Sequence, residues 1–295
     1  RLNMMKVLSK ILGILTVATS LIVLPMASAM AATATGVDWD QSVITAEGTG
    51  VPPATAYNSV QARMMARRAA IVDAYRQLAE QIKGVNVDAT TTVQNMMVTN
   101  DTITTRVSAL VQGARIVEEK VLPEGGYTVK MQVPVFGVTS SVAAAVLDKP
   151  ATYEPFPQPV ESVKPSYPVV NDNTGTSAAE TPSGRAIGSY TGLVVDCRGL
   201  GLKPVMSPVI KNANGTPIYG YKNLDYDKVV SNGMAGYTQD INRVSRAGSN
   251  PLVVQAIGLD NHSSNPILSV ADANRVLIEN GATGFLNTTS VVFVR

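Results

Sequence analysis

Between residues 60 and 82, Val60, Met64, Ile71, Tyr75, Leu78 and Ile82 fall within a sector of about 60° on a helical projection. Ala62, Ala66, Ala69, Ala70, Ala74 and Ala79 fill much of the remaining surface and favour helix. The pattern predicts a long helix that starts between Pro53 and Asn58 and stops at Gly84, with its apolar sector turned to the core. Residues 42–49 read as a strand before it, turned by Gly48-x-Gly50-Val51-Pro52-Pro53. After it, Val87, Ala89, Thr91 and Val93 alternate with polar residues, the mark of a second strand. Ile103, Val107, Leu110 and Val111 return to helical spacing, capped by Asn100 or Asp101 and ended by Gly113. Residues 116–122 and 127–135 form a hairpin around Pro123-Glu124-Gly125-Gly126, and a short helix over 140–147 closes the unit. Tyr127, Val129, Met131, Val133 and Val135 share one face of the second arm, so that face is buried and the other wet. The order β-α-β-α-β-β-α predicts an α+β domain with helices packed on one face of a small sheet.

The composition then changes. Seven prolines lie between 148 and 189, with Ser, Thr, Asn and Glu around them and Val169-Val170 as the only apolar run. Such a stretch reads as a linker, stiff where proline-rich and flexible from 171 to 184, spanning about 35 Å as a coil. Residues 190–295 are strand-rich. Leu193-Val194-Val195, Leu252-Val253-Val254 and Val291-Val292-Phe293-Val294 read as buried strands, and residues 205–218 fold back on Asn214-Gly215. One helix lies among them, opened by a capping box at Ser269-Val270-Ala271-Asp272 and ended by Asn280-Gly281. The division is therefore 1–31 presequence, 32–147 first domain, 148–189 linker and 190–295 second domain.

The presequence reads as a cleavable signal peptide. Lys6 and Lys10 form a basic n-region, an apolar run reaches Leu24, and Pro25 precedes Ala27-Ser28-Ala29-Met30-Ala31, with cleavage after Ala31. An uncleaved membrane anchor is the rival reading; Pro25 and the small residues argue against it. Arg1 to Asn3 precede two methionines and read as lying upstream of the start. Arg1, Lys6 and Lys10 are the segment's only charges, so its removal takes the formal net charge from +2 to −1. A near-neutral chain lacks the electrostatic footprint of a nucleic-acid binder. Cys197 is the only cysteine, which excludes an internal disulfide and leaves no lipid-accepting cysteine at the cleavage site. Beyond the presequence no apolar run is long enough to span a bilayer.

Candidate chemistry is sparse. His262 is the only histidine and stands in a turn-forming cluster, Asp260-Asn261-His262-Ser263-Ser264-Asn265-Pro266. A surface-loop role suits it better than that of a catalytic base. Cys197 follows an apolar strand beside Arg198, which would lower its pKa; a buried structural thiol is the simpler reading. Gly199-Leu200-Gly201 lacks the third glycine of a nucleotide fingerprint, and Asp225-Tyr226-Asp227 lacks the glycine and distal Glu of a calcium loop. No cofactor or metal is expected. Tyr219, Tyr221, Tyr226 and Tyr237 are close in sequence, as a ligand cleft or an ordinary sheet edge would both require. Arg67 and Arg68 flank the apolar sector of the long helix where its spacing skips from Met64 to Ile71. Three roles stay open for them: their stems cover the stripe, they grip acids on a partner or a second copy, or they pair internally with Asp73 or Glu80.

With Ala66-Arg67-Arg68-Ala69-Ala70, Asp73-Ala74-Tyr75-Arg76-Gln77-Leu78-Ala79-Glu80, Gly84-Val85, Val111-x-Gly113-Ala114-x-Ile116-Val117 and Tyr127-x-Val129-x-Met131-x-Val133-Pro134 in order, residues 42–147 resemble the lipoprotein-20 family. That family is in turn similar to the N-terminal domain of flagellar assembly protein T. The resemblance implies a non-enzymatic envelope protein, periplasmic or outer-membrane associated, with envelope or flagellar proteins or a second copy as partners. The cysteine that lipoprotein members carry at the cleavage site is replaced here by Ala, so direct lipidation is not expected. A non-catalytic scaffold or assembly factor is the first functional reading; an extracytoplasmic module binding a glycan, peptide or small ligand through the second domain is the alternative.

Overall fold

The computed structural model describes residues 35–160, 185–260 and 262–295. The expected presequence, and residues 171–184, for which a flexible linker is expected, lie outside the described residues. The first domain is built on an antiparallel sheet of β1 (Gly36–Asp38), β2 (Val43–Gly50), β3 (Arg115–Val121) and β4 (Tyr127–Pro134), in the order β1-β2-β4-β3. Helix α1 (Ser59–Lys83) crosses one face. Its start is fixed reciprocally: Asn58 accepts from the Gln61 amide at 2.8 Å, and the Gln61 side chain accepts from the Tyr57 amide at 2.9 Å.

The buried stripe of α1 is Ala66, Ala70, Ala74, Leu78 and Ile82, not the larger side chains expected at its N-terminal end. Val60 and Met64 remain 66% and 64% exposed. The cause lies in β2. A Cβ on Gly48 would stand 2.1 Å from the Ala70 carbonyl oxygen, and one on Gly50 would stand 2.0 Å from that of Ala66. Glycine on the strand and alanine on the helix bring the two backbones together, and only small residues fit that seam. Further along, where β2 and β4 present side chains, Leu78 and Ile82 take over.

The strand expected over 87–93 is a turn followed by helix α2 (Val93–Thr99). Asp88 accepts from the amides of Thr90 and Thr91, both at 2.8 Å, and Thr92 caps the helix through the Asn95 amide. This local side-chain bonding overrides the alternation. Helix α3 (Asp101–Gln112) is capped by Asn100 as expected, and α4 (Val142–Val146) by Ser141. The element order β1-β2-α1-α2-α3-β3-β4-α4 keeps the fold in the α+β class.

The second domain contains two sheets. Strands β5 (Gly192–Asp196), β8 (Gly236–Thr238), β9 (Pro251–Gln255) and β12 (Val291–Val294) form an all-parallel sheet ordered β8-β12-β5-β9. Strands β6 (Ile210–Asn212), β7 (Pro217–Tyr219), β10 (Gly258–Leu259) and β11 (Pro266–Leu268) form the second, mixed sheet. The chain turns at Asn214-Gly215 as expected, because Asn212 accepts from the amides of Asn214 and Thr216. Helix α5 (Tyr226–Asn232) precedes β8. Helix α6 (Val270–Thr283) starts at the expected Ser269 cap but runs past Asn280-Gly281 to Gly284. There the Asn280 side chain accepts from the Leu286 amide at 2.8 Å instead of stopping the helix.

The two domains share one hydrophobic core, which runs from Ile44 and Leu78 through Val142 to Phe285 and Phe293. Backbone bonds cross between them, from Met206 to Asn86 (3.0 Å), Ser207 to Val87 (2.8 Å) and Gly137 to Val230 (2.8 Å). The described proline-rich residues are not a spacer. Glu154 donates its amide to the Lys222 carbonyl at 2.8 Å, and Asn274 of α6 both donates to and accepts from the Val160 backbone. On the far side of the undescribed stretch, the amides of Ile187 and Gly188 donate to Glu279, also on α6. Residues 160 and 187 are thus tied to the same helix, and the domains meet by direct packing.

Candidate functional site

Arg67 and Arg68 are neighbours in sequence with different surroundings. Arg67 reaches the edge strand β3, where its Nε and terminal nitrogen donate to Glu119 at 3.1 and 2.6 Å. The Tyr127 hydroxyl donates to the same carboxylate at 2.8 Å. The guanidinium, then the tyrosine, hold the Glu119 carboxyl below the usual carboxylate range. Internal pairing therefore accounts for Arg67, though its acid is neither Asp73 nor Glu80. Those pair with Arg76 (2.8 Å) and Lys83 (3.0 Å).

Arg68 is exposed and makes no ion pair among the described residues. With Val60, Met64 and Met65 it lines a shallow groove of about 460 Å³ at the N-terminal end of α1. Tyr57, 93% exposed, stands just before the helix. The structure thus separates the two arginines, one locked to the sheet and one beside an uncovered apolar surface.

The remaining candidates resolve into structural roles. Cys197 is buried, and burial, followed by the Asp196 charge, pushes its thiol up to about 12. Arg198 does not activate it, because its guanidinium is engaged by Asp196 at 2.6 and 2.9 Å. His262 is exposed in a loop ordered by Asp260, which accepts from the Ser264 and Asn265 amides and from the Asn265 side chain. Burial alone would raise the Asp260 carboxyl; those hydrogen bonds outweigh it and hold it low. Gly199 and Gly201 lie in a turn after β5, and Asp225 is the N-cap of α5. The tyrosines do not form an open cleft. Tyr219 and Tyr237 are buried and bonded to the backbone of Met234 and Val205, while Tyr221 and Tyr226 donate to the Asp148 and Leu147 carbonyls. No group of three or more His, Cys, Asp or Glu among the described residues can hold a metal ion. No described helix is long and apolar enough to cross a membrane.

Two buried charges escaped the sequence. Glu279 is fully buried, paired with Arg275 at 2.7 Å and with the amides of Ile187 and Gly188. Arg246 donates to the carbonyls of Asn232, Gly233 and Thr289 at 2.6, 2.6 and 2.9 Å, closing the C-terminal end of α5. The Arg275–Glu279 pair is a local i,i+4 spacing that a scan of charges along the helix could have found. The amides at Glu279 and the carbonyls at Arg246 come from remote segments, which no local pattern announces.

Residues 48–134 match the LPP20 lipoprotein family. Residues 192–295 match the second domain of Treponema pallidum Tp0624. No curated protein matches the chain. The LPP20 likeness agrees with the resemblance carried by the Ala66 to Glu80 and Tyr127 to Pro134 motifs, and it is a likeness to envelope-associated lipoproteins. Each match lies within one domain; the first ends with β4 but leaves out β1 and most of β2, and the second starts with β5.

Proposed function

We infer that this chain is an exported, non-catalytic envelope scaffold or assembly factor that docks a protein partner on the N-terminal half of α1. The observation that supports this most is the uncovered apolar surface of Val60, Met64 and Met65, with the uncommitted guanidinium of Arg68 at its edge. A helix whose buried face is alanine keeps its methionines for another use, and methionine suits an adaptable contact. The signal-peptide pattern and the LPP20 likeness favour the envelope as the setting. The partner face carries a cation, so an acidic rim on the partner is the matching chemistry. A flagellar role is the finer form of this reading.

Photo-crosslinking in cells tests it. A crosslinker at position 64 should capture a discrete envelope protein, while one at Glu124, in the hairpin turn, should not. A deletion strain should show an assembly defect in the envelope, and a motility defect if the partner is flagellar. Failure of position 64 to crosslink, with a normally assembled envelope in the deletion strain, would sink the reading.

A further inference from the structure

The carboxyl ends of β8 and β12 do not close against solvent directly. Strand β1 and the turn after it, from the first domain, lean over them and leave a cavity of about 320 Å³. Its wall is aromatic: the Trp39 ring meets Tyr237 edge-on at 5.6 Å, and Tyr237 meets Phe293 of the core at 5.5 Å. Its charged groups are Asp38, Asp40 and Arg295. Arg295 is held at the backbone by its amide bond to the Thr238 carbonyl (2.9 Å), yet its Nε is buried with no hydrogen-bond partner among the described residues. A buried guanidinium nitrogen without a partner is costly, and such groups are rarely left so.

The charges around the cavity define what fits. Asp40 is already paired with Arg243 at 3.0 Å. One oxygen of Asp38 accepts from the Asp40 and Gln41 amides, and the other has no partner among the described residues. Arg295 is the sole cation among the lining residues. The cavity therefore offers one free positive and one free negative group beside an indole. A doubly charged anion such as phosphate would meet the two carboxylates; a zwitterion satisfies both ends. The volume is at the small end of the roughly 300–1,000 Å³ seen for ligand pockets. Carboxyl ends of parallel strands are also where open sheets of this kind receive ligands.

We propose that this cavity binds a free amino acid or short peptide, its carboxylate on Arg295, its ammonium on Asp38 and its body against Trp39. The guanidinium fork matches a carboxylate in a way no single point charge does. The site is separate from the groove on α1 and does not depend on the docking reading.

Trp39 is the only tryptophan of the chain, so its fluorescence reports on this cavity alone. The probes are alanyl-alanine, its C-terminal amide and its N-acetyl derivative, titrated into the purified protein. Alanyl-alanine should give a saturable change, and the amide and the N-acetyl form should each bind about tenfold more weakly or worse, having lost one charged contact. Arg295→Gln should abolish the response without lowering the thermal melt, since the side chain makes no bond that holds the fold among the described residues. Asp38→Asn keeps an acceptor for the turn amides and should weaken alanyl-alanine while leaving the N-acetyl form unaffected. No saturable response to any probe, equal binding of the amide, or an undiminished response in Arg295→Gln overturns the proposal. Equal binding of the N-acetyl form overturns the zwitterion assignment in particular.

Discussion

Strands β4 and β12 show two ways of burying a sheet. In β4, Val129, Met131 and Val133 are buried under α1, while Lys130 on the other face meets Glu118 at 3.1 Å and Glu47 at 3.4 Å. In β12 all of Val291–Val294 is buried. One side of that strand joins the main core; the other, with Val292 and Val294, packs on Val194 and Ala247 in a separate cluster. An antiparallel sheet reached by hairpins can leave one face wet, whereas parallel strands need crossovers that cover both. The difference also locates chemistry. The wet face of the first sheet spends its charges on one another, while the doubly covered central strands β5 and β12 have only their ends left to meet a ligand. The edge strand β9 is open on one face, with Val253 55% exposed.

The strongest way to break this comparison is a buried carboxylate placed on successive residues. Val292→Asp and Phe293→Asp should both abolish folding, each costing more than about 4 kcal/mol for an unpaired buried charge. In β4, Met131→Asp should do the same, but Thr128→Asp on the wet face should shift the urea midpoint only slightly. Tolerance of Val292→Asp would show that the second face of the parallel sheet is open.

These patterns decide what the sequence made legible. The alternation of β4, the continuous apolar runs of β5 and β12, and the Asn100 and Ser269 caps are local signals, and the corresponding elements form where expected. Strand β9 also forms, but as an edge strand it buries Leu252 and Val254 and leaves Val253 exposed, not buried as its apolar run implied. The burial of α1 is set by a partner strand instead, so a projection weighted by side-chain size pointed to Val60 and Met64 when glycine at 48 and 50 selects alanine. The 87–93 segment alternates but is captured by Asp88 and Thr92. Of the site, the contrast between Arg67 and Arg68 was visible only as adjacency; Glu119 lies 52 residues away. The Arg295 cavity joins residues 35–40 to 237–239 and 295, and no window along the chain contains it.

The second prediction sharpens the same contrast through glycine. Gly48→Ala forces a Cβ to within 2.2 Å of both the Ala70 oxygen and the Ala74 nitrogen, which are helix backbone and cannot rotate away. It should cost about 3 kcal/mol, the upper part of the overpacking range, and lower the melting temperature accordingly. Gly258→Ala, on an edge strand of the second domain with nothing within 4 Å of the new carbon, should be close to neutral. Equal effects would mean that α1 adjusts freely over β2.

The third concerns pH and is smaller. Glu118, bonded to Lys120 and Lys130, and Glu119, bonded to Arg67 and Tyr127, both have carboxyls held below their ordinary value. Each stays ionised in the fold at a pH where the unfolded chain has taken up a proton. Their stabilisation is therefore complete above the ordinary carboxylate range and is lost as pH falls through the depressed values. Both groups are partly exposed, so salt should shrink the effect. Melts followed from neutral to acid pH should show a modest decline that Arg67→Gln makes shallower by removing the guanidinium's part of the Glu119 share and leaving that of Tyr127.

The smallest effect is the one that separates structure from docking. Arg67→Ala removes a fork bond between α1 and β3 and leaves Glu119 with Tyr127 alone, so the melting temperature should fall by a small but measurable amount. Arg68→Ala removes a head that pairs with no described residue, and the melt should not move. Crosslinking from position 64 should respond in the opposite order, weakened by Arg68→Ala and little changed by Arg67→Ala, because only Arg68 borders the groove with Val60, Met64 and Met65. A melt lowered equally by both variants would make Arg68 a structural residue, and the apolar end of α1 would then need some other account of its exposure.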